Sequence, residues 1–113
     1  LVGDSSWEGH AANVFEQSDE VFAYAKNDHL GFQIQYLWSG SRRRYIPDFL
    51  VKFASGKLLA LEIKGTDSPQ NKAKRDALAA WVEAVNAGGG FGRWSWDVAF
   101  APAEVRDIIV RHT

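Results

Sequence analysis

Three ionisable side chains, Asp48, Glu62 and Lys64, interrupt an otherwise apolar stretch at residues 45–65, which reads YIPDFLVKFASGKLLALEIKG. Charged groups in such a segment cost free energy unless they are paired or share a task. Mg²⁺ binds one or two carboxylates and leaves its other positions to water and a substrate phosphate. A lysine beside the cation can orient or deprotonate a water and stabilise charge on a reacting phosphate. The three residues are therefore candidates for a metal-dependent site that hydrolyses a phosphoester.

The apolar residues around these charges predict the register of a β-hairpin. Their alternation indicates two strands whose core faces both carry odd-numbered residues. A three-residue loop that ends at a left-handed Gly56 keeps the two faces together, whereas a slip of one residue would turn one face away from the core. Phe53 then pairs with Lys57, and Asp48 lies directly opposite Glu62. The predicted core face consists of Phe49, Val51, Phe53, Leu59, Leu61 and Ile63.

Two interpretations of the charged cluster stay open on the residues alone. A cross-strand ion pair on a solvated sheet face is common and contributes little stability. Two carboxylates that stand directly opposite each other repel, however, and a single lysine does not balance both. A bound cation would remove the repulsion between Asp48 and Glu62, which is the argument for a metal site.

Hydrophobic periodicity predicts the elements that position these residues. Ser5 and Glu8 fit a capping box at the start of the first helix, and Ser68 followed by Pro69 fits the start of a later one. Strand, helix and strand in succession should form a parallel crossover. The fold class is therefore α/β, a mixed four-stranded sheet flanked by helices in the order αβββαβα. The expected elements are a helix at 5–17, a helical turn at 18–27, strands at 31–38, 47–53 and 57–64, a helix at 68–87, a strand at 93–100 and a helix from 102.

Composition limits the class of protein. At 113 residues, 46% of them apolar, the chain fits one domain with a single core and has no room for a second. A formal charge of −1 means that binding of nucleic acid must come from a local basic patch. The absence of cysteine excludes disulfides and fits a reducing compartment, so we expect a cytoplasmic protein. The chain contains no Met, and we expect it to be part of a longer protein.

The residues around the cluster resemble a known family of nucleases. Pro47-Asp48, followed after thirteen residues by Glu62-Ile63-Lys64, is similar to the signature of the PD-(D/E)xK nucleases. Nearly the whole chain resembles the C-terminal endonuclease domain of type III restriction enzymes and related helicase–nuclease proteins. The segments that carry this resemblance are WEGHAANVFEQSDEVFAYAKN, GFQIQYLWSG, YIPDFLV, LEIKG and KAKRDALAAWVEAVN.

The resemblance implies a restriction-endonuclease-like core and a domain that cuts one DNA strand per site with Mg²⁺ or Mn²⁺. It implies that Asp48 and Glu62 bind the metal together with the backbone carbonyl of Ile63, and that Lys64 is the catalytic lysine. In such nucleases a glutamate from the first helix often completes the site, and a polar residue after the lysine can face it. The candidates for these two positions are Glu8 or Glu16 and, in the later helix, Gln70.

Two basic groups flank the cluster along the chain and are candidate DNA contacts. Such groups hold phosphates in place without reading sequence, although basic residues of this kind are also often only solvated. One group lies in the loop before the 47–53 strand and the other in the first turns of the helix after the cluster. They are Arg42, Arg43 and Arg44, and Lys72, Lys74 and Arg75.

Competing functions remain on the sequence. The same fold without catalysis would be a silent nucleic-acid-binding or interaction module. A glycoside hydrolase is disfavoured because directly opposed carboxylates lie too close for that chemistry. The glycines at 88–92 lack the lysine of a P-loop. The partners that the nuclease resemblance implies are DNA, a helicase or translocase region of the parent chain and a separate modification methyltransferase subunit.

Overall fold

The structure, a computed structural model, describes residues 2–27, 33–63, 68–90 and 92–113, with the side chains described from residue 8 onward. No helix in this part of the chain combines the length and the hydropathy needed to cross a membrane. The elements in chain order are α1 (Val2–Gln17), β1 (Val21–Lys26), β2 (Ile34–Trp38), β3 (Ser41–Tyr45), β4 (Phe49–Phe53), β5 (Lys57–Ile63), α2 (Pro69–Gly88), β6 (Arg93–Ala99) and α3 (Glu104–His112).

The main sheet has four strands in the order β1-β4-β5-β6. The β1–β4 and β4–β5 pairs are antiparallel, and β5 pairs in parallel with β6 through the α2 crossover. The predicted α/β class with a mixed four-stranded sheet is therefore confirmed. Strands β2 and β3 form a separate two-stranded antiparallel sheet, which we call the ribbon.

Three sequence predictions about the first half of the chain are wrong. The expected helical turn at 18–27 contains strand β1, which is the edge strand of the main sheet. The strand expected at 31–38 is present from Ile34 but lies in the ribbon, and its first two residues are outside the described part. The expected basic loop is strand β3, because a two-residue turn at Ser39-Gly40 folds it back onto β2. The described elements follow the order αβββββαβα, which differs from the predicted αβββαβα because β1 and β3 were not expected as strands.

Both faces of the main sheet are covered, which explains its strongly apolar strands. One face packs against α1 and α3, and the other packs against α2 and the ribbon. The odd-numbered core face predicted for the β4–β5 hairpin is buried on the first side, as expected. The first core includes Phe15, Phe49, Val51, Phe53, Leu59, Leu61, Ile63, Val105, Ile108 and Ile109. The second core includes Ile34, Tyr36, Tyr45, Ala60, Leu78 and Val82.

Helix α2 begins as its sequence indicates. The Asn71 N–H donates to Ser68 Oγ at 3.1 Å, and Pro69 occupies the first turn, where a missing N–H costs nothing. The capping box proposed for α1 is wrong, because this helix already begins at Val2 and Ser5 lies inside it.

Asp97 in β6 ties the last helix to the sheet. Arg111 Nη1 donates to Asp97 Oδ2 at 2.8 Å, and His112 Nε2 lies 2.8 Å from the same oxygen. The Val98 N–H donates to Oδ1 at 2.7 Å. Burial acts to raise the pKa of Asp97, but His112, this N–H and the Arg111 charge together hold it below its ordinary value.

We expect Asp97→Asn to lower the free energy of unfolding at pH 7 by about 1 kcal/mol, because the ionised form makes charge-assisted bonds in the folded state. A carboxyl group whose pKa is lowered in the folded state stabilises the fold at pH values above its unfolded pKa of 3.8. This contribution is lost as the pH falls through the folded pKa. Urea unfolding at pH 7 and pH 2 measures both effects.

Asp76→Asn, at an exposed position on α2, is the control and should change the free energy of unfolding by less than about 0.5 kcal/mol. A difference between wild type and Asp97→Asn that persists at pH 2 would contradict the role of the ionised carboxylate.

Candidate active site

The register of the β4–β5 hairpin is the one predicted from the apolar pattern. Phe49 pairs with Leu61, and the pairing continues to Lys52 with Leu58. The loop closes through Gly56, whose N–H donates to the Phe53 carbonyl at 2.9 Å and whose φ is +95°. The pairs end at Phe49 and Leu61, and the next residues on each side, Asp48 and Glu62, lie close enough for Glu62 to raise the pKa of Asp48. Both side chains are half-buried, because α2 and the ribbon cover that face of the sheet.

Asn27 and the Ile63 N–H hold the segment that carries Asp48. The Asn27 N–H donates to the Asp48 carbonyl at 2.9 Å, and Asn27 Nδ2 donates to the Pro47 carbonyl at 3.1 Å. The Ile63 N–H donates to Asp48 Oδ2 at 2.9 Å. Main chain and side chain of Asp48 are thus fixed from the two neighbouring strands.

Pro47 gives the Ile63 carbonyl an unusual environment. The residue opposite Ile63 in the continued register is Pro47, which has no N–H to donate to the ladder. The N–H and C=O of one extended residue are directed toward the same neighbouring strand. The Ile63 N–H reaches Asp48, so in a regular strand the Ile63 carbonyl would be directed to the same side. A cation beside Asp48 could then use this oxygen.

Tyr45 is a site residue that the sequence did not reveal. It is the last residue of the ribbon, only 5% exposed, and its hydroxyl donates to Glu62 Oε1 at 2.7 Å. Burial and the neighbouring Glu62 and Asp48 carboxylates raise the pKa of Tyr45 far above its usual range, so the phenol remains protonated and acts as the donor. The ribbon is thereby joined to one of the two carboxylates.

The electrostatics of Asp48 identify its charged neighbours. Burial raises the pKa of Asp48 to about 6; the Ile63 N–H opposes this shift, Glu62 and Glu8 add to it, and Lys26 opposes it. Lys26 Nζ also forms an ion pair with Glu8 at 2.7 Å. Three half-buried acidic residues and one exposed lysine therefore lie at this end of the sheet.

The two first-helix candidates occupy different surroundings. Glu8 lies close enough to Asp48 to raise its pKa. Glu16 is two turns further along α1, roughly 12 Å along the helix axis, and its Oε2 accepts a hydrogen bond from Tyr24 at 2.6 Å. Glu8 is therefore the first-helix carboxylate that the fold brings toward Asp48.

The remaining predicted residues lie on α2 and on the ribbon, except Lys64, which falls outside the described residues. Gln70 Nε2 donates to the Tyr36 hydroxyl at 2.9 Å, so it links α2 to the ribbon. Lys74 Nζ lies 5.9 Å from the centre of the Tyr45 ring, and Arg75 lies over the Phe100 ring at 5.8 Å. The exposed residues of the two basic groups are Arg42, Arg43 and Arg44 on β3 and Lys72 on α2.

The donor set at this end of the sheet is composed of oxygen atoms. Within the described ranges no group of three or more His, Cys, Asp or Glu side chains is arranged to hold a metal ion. Mg²⁺ needs no such group, because it retains several waters and takes one or two carboxylates. Asp48, Glu62 and the Ile63 carbonyl suit that preference. The hydrogen bonds from Ile63 and Tyr45 each use one carboxylate oxygen, which leaves the second oxygen of each residue for a cation.

Comparisons with known proteins add no assignment, since no family model, no curated protein and no solved structure matches the chain.

We expect Tyr45→Phe to lower the free energy of unfolding by about 1.5–2 kcal/mol, because the half-buried Glu62 carboxylate loses a charge-assisted hydrogen bond. Tyr36→Phe is the matched control. It removes the neutral bond with Gln70 and should cost about 0.5–1 kcal/mol. Urea unfolding in EDTA compares the two variants, and an equal or smaller loss for Tyr45→Phe would contradict this role.

Proposed function

We propose that the domain is a metal-dependent endonuclease of the PD-(D/E)xK type, the cleavage domain of a protein similar to type III restriction enzymes. The observation that supports this most is the closeness of the Asp48 and Glu62 carboxylates at one end of the β4–β5 hairpin, where Glu62 raises the pKa of Asp48 and the Ile63 N–H donates to Asp48 Oδ2. Core packing places two half-buried carboxylates together, and such a pair is stabilised by a cation. The substrate that suits a cation flanked by arginines and lysines is a DNA phosphodiester.

Each chain residue has a defined task in this proposal. Asp48 and Glu62 hold the cation, which when bound would supply positive charge against the phosphate and favour ionisation of the attacking water. Lys64 orients that water and stabilises negative charge on the phosphate during the reaction. Tyr45 keeps Glu62 in place through its hydroxyl. Arg43 on β3 and the basic residues of α2 hold the DNA backbone.

One observation favours a second candidate, a catalytically silent nucleic-acid-binding or interaction module. Both carboxylates already accept internal hydrogen bonds, Asp48 from the Ile63 N–H and Glu62 from the Tyr45 hydroxyl. Buried polar groups that are satisfied in this way can serve the fold alone. Cleavage and metal binding must therefore be measured separately.

We expect the domain to nick supercoiled plasmid DNA in Mg²⁺ and to lose at least 100-fold of this activity in Lys64→Ala, because the lysine stabilises charge that develops only during reaction. Conversion of supercoiled to open-circular DNA measures the rate. EDTA should abolish it.

Lys52→Ala is the matched control for Lys64→Ala, because Lys52 is an exposed lysine of the same hairpin. Its nicking rate should stay within about twofold of wild type. Nicking that persists in Lys64→Ala, or that is insensitive to EDTA, would contradict the proposed mechanism. Metal binding without nicking would favour the silent module.

We expect one Mn²⁺ to bind per domain, as measured by calorimetry, and Asp48→Asn to weaken binding at least tenfold because a charged ligand is lost. Glu8→Gln should weaken binding more than Glu16→Gln, since only Glu8 lies close enough to act on Asp48. Equal effects of the two glutamine variants would contradict a contribution of Glu8 to metal binding.

A further inference from the structure

The outward face of the ribbon carries side chains that are not used in the core. Strands β2 and β3 pair Gln35 with Arg44 and Leu37 with Arg42. All four residues are exposed, and Leu37 is 70% exposed although it is apolar. The opposite face holds Tyr36, which is buried against α2. The orientation of the ribbon is therefore fixed by packing, and its polar face is presented to solvent.

The ribbon concentrates positive charge. Between residues 33 and 45 the chain has three arginines and no acidic residue, whereas the whole chain carries a net charge of −1. Arg44 Nη1 donates to Gln33 Oε1 at 3.5 Å, which extends the same polar face by one residue. This local charge is what attraction to a polyanion requires.

The dimensions of the ribbon suit one groove of B-form DNA. Strands of five residues are roughly 17 Å long and neighbouring strands lie about 4.8 Å apart. The major groove is about 12 Å wide and admits a two-stranded ribbon. The turn at Ser39-Gly40, with φ values of +52° and +75°, gives the ribbon a narrow tip.

The exposed side chains also have the chemistry of base readout. Arginine recognises guanine O6 and N7, glutamine recognises adenine N6 and N7, and an apolar group contacts the thymine methyl. We propose that the ribbon enters the major groove of duplex DNA and contacts base edges through Gln35, Leu37, Arg42 and Arg44. This rests on the proposed function for its connection to cleavage, because Tyr45 joins the base of the ribbon to Glu62.

The consequence is a local sequence preference at the point of cleavage. It is distinct from recognition by a separate modification subunit, because the contacts come from the nuclease domain itself. Arg43 lies on the other face of β3, opposite Tyr36, and remains available for a phosphate. The three neighbouring arginines therefore divide into two base contacts and one backbone contact.

The test is methylation of guanine N7 by dimethyl sulfate in a 16-base-pair duplex, with EDTA present to prevent cleavage. Bound at low salt, the wild-type chain should reduce N7 methylation at least threefold. Arg42→Ala combined with Arg44→Ala should restore methylation to the level of free DNA and weaken binding at least tenfold. Arg43→Ala, the matched control, should weaken binding but retain N7 protection. Circular dichroism checks that the variants fold.

Several outcomes would overturn the proposal: no binding to the duplex, binding without N7 protection, or protection that survives the double substitution. Equal affinity for double-stranded RNA of the same sequence would also overturn it, because side chains cannot read the deep major groove of A-form RNA. Plasmid nicking, measured separately, distinguishes the two proposals. Nicking without N7 protection would support the proposed nuclease and contradict the groove contact. N7 protection without nicking would support the groove contact and contradict the proposed nuclease.

Discussion

The register of the β4–β5 hairpin is the constraint on which the rest of the molecule depends. Each buried Val, Leu or Phe side chain contributes about 1.5–3 kcal/mol, so the six core-face residues together contribute on the order of 10 kcal/mol. The shift in the pKa of Asp48 from 3.8 to about 6 corresponds to an opposing cost of about 3 kcal/mol. Core burial therefore sets the pairing, and it brings the two carboxylates together although their proximity costs free energy.

Tyr45 connects the parts of the molecule that the proposed activity requires. Its ring belongs to the second core, its hydroxyl donates to Glu62, and the Lys74 ammonium group lies near its ring. Because Tyr45 is also the last residue of β3, the arginine-bearing ribbon meets the main sheet directly beside the Glu62 carboxylate. The contact between ribbon and sheet is packed on an apolar core and is not a loose hinge.

The sequence predicted the hairpin well because its alternation is regular and one face is wholly apolar. It missed β1, whose residues Val21–Lys26 do not alternate in burial and whose pairing with β4 contains an irregularity between Val21 and Ala23. It missed β3 because Arg42 to Arg44 are exposed and become a strand only by pairing with β2. The contact of Tyr45 with Glu62 depends on this pairing of distant segments, so no local sequence pattern indicated it.

The short connection between β4 and β5 has a consequence for the order of folding. Three residues join these strands, whereas β5 meets β6 only after the whole of α2 has been traversed. Closing a short loop costs less entropy, and hairpins form within about 1–10 μs. We expect the two carboxylates to meet in a local, early event, before the crossover adds β6. The proposed metal-binding pair is then among the first parts of the chain to acquire its native neighbours, and the distant segments close around it.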